Sequence, residues 1–311
     1  MYRQENGSEI WNVEKCCFEQ SHIALVQKKL EDQINKFFKD YCYGGLDALL
    51  AKLDSVECEP KDIAAYVAER VEDNYLTDSK TYNDLFTKEK MEELYFDPST
   101  FKKITLKNQC PIIRQTLNSK QKGLEKFKRK FKEADAKDLW EKINNIVNFA
   151  YEYKGEEDEN KYVNISNYED LGLNKLDTED CSLSGVIGGG IKSLISYMRN
   201  PQWFPSRSRN AIWALYFLTD KESFGCKMDS EFIMVNIKEG QMSQNYFYPY
   251  VLFSYYALVT YRVLKEQFKA LGVELKPKYR YAYVDSFFDY FAAKNDDAIK
   301  TLQSKLNEDY V

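Results

Sequence analysis

Histidine is almost absent from this sequence, and its scarcity excludes much of the chemistry that proteins perform. Only His22 occurs among the 311 residues. Catalytic triads with a histidine base, multi-histidine metal sites and paired-histidine ribonuclease mechanisms would all depend on one imidazole. His22 stands in SHIALVQKKL at the predicted start of a helix, where a capping or surface role explains it.

Cysteines are few, and their spacing fits no known framework. The seven are odd in number, lack C-x-x-C spacing and lack the histidines that would complete a zinc site. We therefore expect no disulfides, no metal and no cofactor. The cysteines are Cys16, Cys17, Cys42, Cys58, Cys110, Cys181 and Cys226.

The sequence also lacks long apolar runs. No stretch approaches the roughly 20 apolar residues that span a bilayer. The first residues, MYRQENGSEIWNVEKCCFEQ, lack the charged start and apolar stretch of a signal peptide. These absences predict a cytoplasmic chain with no membrane partner.

Helical periodicity dominates what is present, and it predicts a mainly α fold. Apolar residues make up 44% of the chain and aromatic residues 15%, which is a globular composition. Apolar residues recur every three or four positions from about residue 20 to 54, after Pro60, and from residue 120 to 151. A long helix is predicted from near Pro249 to Gly272, and one or two more over residues 284–306.

The acidic run GEEDEN at residues 155–160 interrupts this pattern, because like charges repel and extend the backbone. We place a domain boundary there. It separates a helical domain at residues 1–155 from an α-rich domain at 156–311, in which FIMVNI predicts a small β element.

Positive charge is concentrated in residues 100–132. This segment holds eleven basic residues and one acidic residue, so it carries +10 while the remaining chain sums to −15. Within it, KQKGLEKFKRKFK predicts a basic helical face. Such a face needs no partner if it is merely solvated. Alternatively it binds phosphates, because clustered Lys and Arg displace condensed counterions.

Residues 183–218 form the one segment with the character of a motif. Its glycines at 188–190 precede a predicted helix, and a glycine turn beside a helix start suits an anion. A nucleotide-binding P-loop requires Lys directly after the last glycine, whereas Ile191 separates Gly190 from Lys192. The structural alternative is that the glycines only allow close helix packing.

The same segment resembles the helix-hairpin-helix segment of DNA glycosylase-type folds over some 35 residues. The residues that resemble the hairpin of that segment are Leu183, Gly185, Val186, Gly188, Gly190, Lys192 and Ser193. Phe204-Pro205 and the predicted helix after it resemble the loop and the downstream helix. This chain departs from the family in two places. It has one more residue between Val186 and Gly188 than the usual hairpin, and residues 206–210 stand where the family has its catalytic aspartate. The resemblance therefore implies binding of the DNA backbone without base excision.

Together these features predict a non-enzymatic protein that binds DNA or RNA through the phosphate backbone. One alternative is a protein that binds or inhibits a protein partner through its aromatic C-terminal half. Another is a degenerate metal nuclease using Asp229, Glu231 and Lys238, although Asn236 stands where a metal ligand is needed. The predicted phosphate-binding residues are Lys126, Lys128, Arg129, Lys130, Gly188, Gly190, Lys192, Ser193, Arg199, Arg207 and Arg209.

Overall fold

A computed structural model describes residues 3–4, 11–12, 15–44, 59–121, 124–226, 233–236, 241–244 and 248–308. Over these residues the protein is mainly α, as the periodicity predicted. Within the same ranges, no helix has the combination of length and apolarity needed to cross a membrane.

The described residues of the N-terminal half lie mainly in helices. A two-residue strand pair, β1 and β2, precedes them. The bounds are β1 Arg3–Gln4, β2 Trp11–Asn12, α1 Gln20–Tyr43, α2 Pro60–Leu85, α3 Lys88–Tyr95, a turn at Pro98–Thr100, a π-helix at Phe101–Gln109, α4 Pro111–Asn118, α5 Glu125–Glu133 and α6 Ala136–Glu152.

The C-terminal half adds six helices among the described residues and a β-hairpin. Several short 3-10 helices connect them. The bounds are α7 Glu159–Val163, α8 Gly189–Arg199, α9 Arg209–Leu218, β3 Ile233–Asn236, β4 Gln241–Gln244, α10 Tyr250–Ala270, α11 Arg280–Lys294 and α12 Asp296–Glu308. Strand β3 covers residues 233–236 of the predicted FIMVNI strand, and Ile233 pairs with Gln244 in antiparallel register.

The central helix is α10, which buries residues on all of its sides. A helix that is apolar all round has to lie inside the fold. It packs against α1 and α11, while α8 packs against α6 and α2. One buried apolar cluster thus includes residues from both sides of the predicted boundary near residue 155. The division into two domains stays a prediction.

Residues 120–151 differ from the single helix that the apolar pattern predicted. The helix ends at Glu133, where Ala134 turns away with ψ 138°, and a new helix begins at Ala136. The carboxylate of Asp135 accepts hydrogen bonds from the backbone N–H groups of Lys137 and Asp138, at 2.7 and 3.1 Å. This N-cap stabilises the start of α6 and separates it from the basic helix α5.

His22 has a structural role on α1. Its Nε2 lies 2.9 Å from the backbone carbonyl of Glu222, a hydrogen bond that joins α1 to a distant turn. The imidazole therefore forms a hydrogen bond within the protein, with a main-chain oxygen as its partner.

Candidate functional site

Five lysines surround one cavity of about 520 Å³ between the π-helix and α5. The π-helix is wider than an α-helix, since the N–H of Cys110 bonds to the carbonyl of Thr105, five residues earlier, at 2.8 Å. Such helices occur frequently at functional sites. We call this the lysine cavity; its lysines are Lys102, Lys103, Lys107, Lys128 and Lys132.

Two of these lysines are engaged within the fold. The ammonium group of Lys102 donates hydrogen bonds to the carbonyls of Lys132 and Ala134, at 2.9 and 2.6 Å. Desolvation lowers the pKa of Lys102 below its usual value. Lys128 forms an ion pair with Glu125 at 2.7 Å. Lys102 therefore fixes the end of α5 rather than presenting its charge to solvent.

The other three lysines of the cavity are exposed: Lys103, Lys107 and Lys132. No carboxylate among the described residues lies within ion-pairing distance of any of them. They were counted in the basic segment but not among the predicted site residues. Their convergence depends on how the π-helix meets α5, and residue spacing does not encode that angle.

A second cavity, of about 430 Å³, lies at the glycine turn. We call it the glycine cavity. Helices α4 and α5 separate it from the lysine cavity: Leu117 and Phe131 line the first, whereas Thr116 and Phe127 line the second. Its other lining residues are Ile112, Gly185, Val186, Gly188, Gly190, Ile191, Leu194, Ser206, Ser208 and Arg209.

The glycine turn is in direct contact with the basic helix α5. Gly185 has a φ of +72°, which suits glycine, and Leu183 and Ile187 bridge across the turn. A Cβ at position 185 would lie 3.0 Å from Cγ of Lys130, so the aliphatic stem of Lys130 crosses the turn. The basic segment at residues 100–132 and the glycine segment at residues 183–218 therefore meet in space.

Three of the predicted residues lie under the surface instead. Lys192, Ser193 and Arg207 are buried. Lys192 forms an ion pair with Asp177 at 3.7 Å, and the Ser193 hydroxyl accepts a hydrogen bond from the Arg207 N–H at 3.1 Å. These residues therefore form their polar contacts inside the protein.

The anion that these buried cations face is the protein's own carboxylate, Asp177. Its Oδ2 also accepts hydrogen bonds from the N–H groups of Tyr250 and Val251 at the start of α10, at 2.7 and 3.3 Å. Burial raises the pKa of Asp177 and lowers that of Lys192. Asp177 is thus an internal anion at the start of α10, a different helix from the one that follows the glycine turn, where the anion was predicted.

The remaining predicted side chains differ in accessibility. Arg199 donates to Asn83 at 3.1 Å and stacks on Tyr151, with its guanidinium carbon 3.9 Å from the ring centroid. Lys126 is half-buried on α5. Those exposed to solvent are Arg129, Lys130 and Arg209, the last at the rim of the glycine cavity.

The residues invoked for the two alternatives are placed differently. Asp229, Glu231 and Lys238 lie outside the described residues, and within those described no group of three His, Cys, Asp or Glu side chains could hold a metal. Most of the described C-terminal aromatic rings are in the core, including Tyr248 and Tyr250. The protein-partner interpretation stays a prediction.

Exposed aromatic residues occur elsewhere, at a position that sequence reasoning did not single out. Phe96, between α3 and the turn at Pro98–Thr100, is 86% exposed, and the neighbouring Tyr95 is 49% exposed. The signal in the sequence was the pair Tyr95-Phe96 directly before Asp97-Pro98. The residue before a proline disfavours helical conformation, so the helix ends there and its last residues lie at the surface.

The chain matches no known family model, and no curated protein or solved structure is significantly similar to it.

Proposed function

We propose that this protein binds nucleic acid through the phosphate backbone, without catalysing a reaction. The observation that carries the proposal is the lysine cavity, with Lys103, Lys107 and Lys132 exposed and not ion-paired among the described residues. The chain as a whole carries −5, so this local concentration of positive charge is not a general property of its surface.

The physical basis is the release of counterions. A nucleic acid strand carries condensed cations along its phosphates. Each lysine that binds a phosphate releases such a cation into solution, and the entropy that the released cation gains favours binding. Exposed ammonium groups that no carboxylate neutralises are the side chains best suited to that exchange. Lys128, which is paired with Glu125, contributes less.

The contact between Lys130 and Gly185 extends this surface toward the glycine cavity. Lys128 lines the lysine cavity, whereas Lys130 lies over the glycine turn, so α5 offers positive charge to both. Nothing lies within 4 Å of a Cβ built on Gly188 or Gly190, which leaves room for a backbone to approach. The resemblance to a helix-hairpin-helix segment supports the same interpretation for these glycines.

A reducing compartment such as the cytoplasm fits this function. The described cysteines are free thiols, and five of them are buried: Cys17, Cys42, Cys110, Cys181 and Cys226. Proteins of oxidising compartments usually pair such residues in disulfides. We therefore infer a cytoplasmic location.

The test is a binding titration with DNA and RNA oligonucleotides at low and moderate salt. We expect binding that weakens steeply between about 50 and 200 mM salt. The triple variant Lys103→Glu, Lys107→Glu, Lys132→Glu should bind at least about tenfold more weakly, because three attractions become repulsions.

The matched control changes the same number of exposed lysines on α1, which lines neither cavity: Lys28→Glu, Lys36→Glu and Lys39→Glu. It alters the net charge equally, so a loss that depends only on total charge would appear in both variants. Equal losses in the two variants, or no affinity of the unaltered protein at low salt, would overturn the proposal.

A further inference from the structure

An aromatic ladder stands one helical turn from the lysine cavity. Trp140 anchors it by donating its indole N–H to the carbonyl of Met91 at 2.9 Å. Tyr95 packs edge-on against Trp140, with ring centroids 5.1 Å apart, and Phe96 packs edge-on against Tyr95 at 5.2 Å. The outermost ring, Phe96, contacts Tyr95 and still exposes 86% of its surface.

Two short connections place this ladder beside the cavity. Ser99, which lines the lysine cavity, follows Phe96 by three residues, and Asp97 fixes the intervening turn by accepting from the Thr100 N–H at 3.0 Å. On α6, Ala136 lines the cavity and Trp140 lies one turn further along the same helix face. The ladder and the lysines therefore share one surface.

Charge is unevenly distributed across this surface. Three exposed lysines line the cavity on the π-helix and α5, whereas the exposed carboxylates of Glu92, Glu93 and Asp97 lie on the aromatic side, together with the exposed Lys88 and Lys90 of α3. Hydrogen bonds from Thr100 lower the pKa of Asp97, so that group is ionised at neutral pH. Phosphates are attracted to the lysines of the cavity, while an uncharged base can lie against the exposed ring on the aromatic side.

We infer that the ligand of this surface is a single strand of nucleic acid, with its phosphates at the lysine cavity and a base stacked on Phe96. The inference rests on the proposed function and makes it more specific. Base stacking on an aromatic ring needs an unpaired base, because the faces of paired bases in a duplex are already stacked. An exposed ring beside exposed lysines that form no ion pair within the described part of the chain is the combination that single strands require.

The experiment compares Phe96→Ala with the unaltered protein in binding to oligo(dT), oligo(rU) and a duplex of the same length, about 16 nucleotides. Alanine should weaken binding of both single strands about 5- to 160-fold, the range for loss of one stacked base, and leave duplex binding unchanged. Phe96→Trp should retain single-strand affinity. The control Leu76→Ala removes another exposed apolar side chain, on α2, and should change neither.

The outcomes separate this inference from the proposed function. If Phe96→Ala binds single strands as tightly as the unaltered protein while the triple lysine variant loses affinity, the stacking inference fails and phosphate binding stands. If the unaltered protein prefers the duplex and Phe96→Ala has no effect on binding, the stacking inference also fails and phosphate binding stands. Phe96 then does not contact the nucleic acid. If the unaltered protein binds neither form at low salt, both fail.

Discussion

The guanidinium group of Arg207 occupies the space that a side chain at position 189 would need. A Cβ built on Gly189 would lie 1.2 Å from Nη2 of Arg207, closer than a covalent bond. Arg207 is held in this place by donating to the carbonyl of Tyr248 at 2.7 Å. The middle glycine of the GGG run is thus required for packing, whereas its two neighbours face open space.

Adjacent glycines should therefore respond oppositely to the same substitution. We expect Gly189→Ala to lower the free energy of unfolding by about 1–3 kcal/mol, because a buried arginine must move. Gly190→Ala, one residue further into α8, should be neutral or stabilise by up to about 1 kcal/mol through the lower entropy of the unfolded chain. Urea denaturation of both variants measures the difference, and equal effects would contradict this account of the turn.

Asp285 on α11 should make the folded protein less stable as the pH rises. Burial, with repulsion from Asp289 and Asp78, raises its pKa well above the usual range. One of its oxygens, Oδ1, has no hydrogen-bond partner among the described residues. The folded protein then retains a proton that the unfolded chain releases near pH 4, so the free energy of unfolding falls from about pH 4 upward.

Asp285→Asn should remove the contribution of this carboxyl to the pH dependence and stabilise the protein at pH 7 by on the order of 1–3 kcal/mol, the cost of an unsatisfied buried group. Urea denaturation at several pH values checks both effects. The exposed carboxylate of Asp73 on α2 provides the control, since Asp73→Asn should leave the profile as it was. A profile for Asp285→Asn that matches the unaltered protein would show that this carboxyl does not titrate as described.

Arg280, the first residue of α11, should be among the most sensitive positions of the core. It is fully buried, forms an ion pair with Glu159 and stacks on Tyr162, with its guanidinium carbon 3.9 Å from the ring centroid. We expect Arg280→Met to cost about 3–5 kcal/mol, because Glu159 loses its buried partner.

The control for Arg280 is the second cation on the same carboxylate. Lys265 lies 3.0 Å from Glu159 but is more exposed, so Lys265→Met should cost no more than about 1 kcal/mol. Arg280→Lys should fall between the two, since an ammonium keeps the charge but not the planar stacking. Near-equal losses for Arg280→Met and Lys265→Met in urea denaturation would refute the assignment.

Helices that have clear punctuation were predictable from sequence. The helix after Pro60 and the helix between Pro249 and Gly272 occur where proline and glycine predicted them, and Gly272 has a φ of +77°. The division of residues 120–151 was missed because apolar spacing continues through it. The signal was Asp135, whose side chain caps α6.

The site was less accessible to sequence reasoning, because it depends on residues that meet only in the fold. Lys192 was predicted to bind an external anion, yet its partner is Asp177, fifteen residues earlier on a different element. Conversely, Lys103 and Lys107 needed the π-helix to reach the same cavity as Lys132. The sequence shows that residues 100–132 are basic. Burial and ion pairing in the fold decide which of these lysines and arginines remain accessible to an external phosphate.

The most direct test of phosphate binding at the lysine cavity is the slope of the logarithm of affinity against the logarithm of salt concentration. Each phosphate contact on a single strand contributes about 0.7 to that slope. Replacing Lys103, Lys107 and Lys132 together by glutamine should therefore lower its magnitude by about 2, whereas glutamines at Lys28, Lys36 and Lys39 should leave it unchanged. An unchanged slope in the cavity variant would contradict phosphate binding by these three lysines.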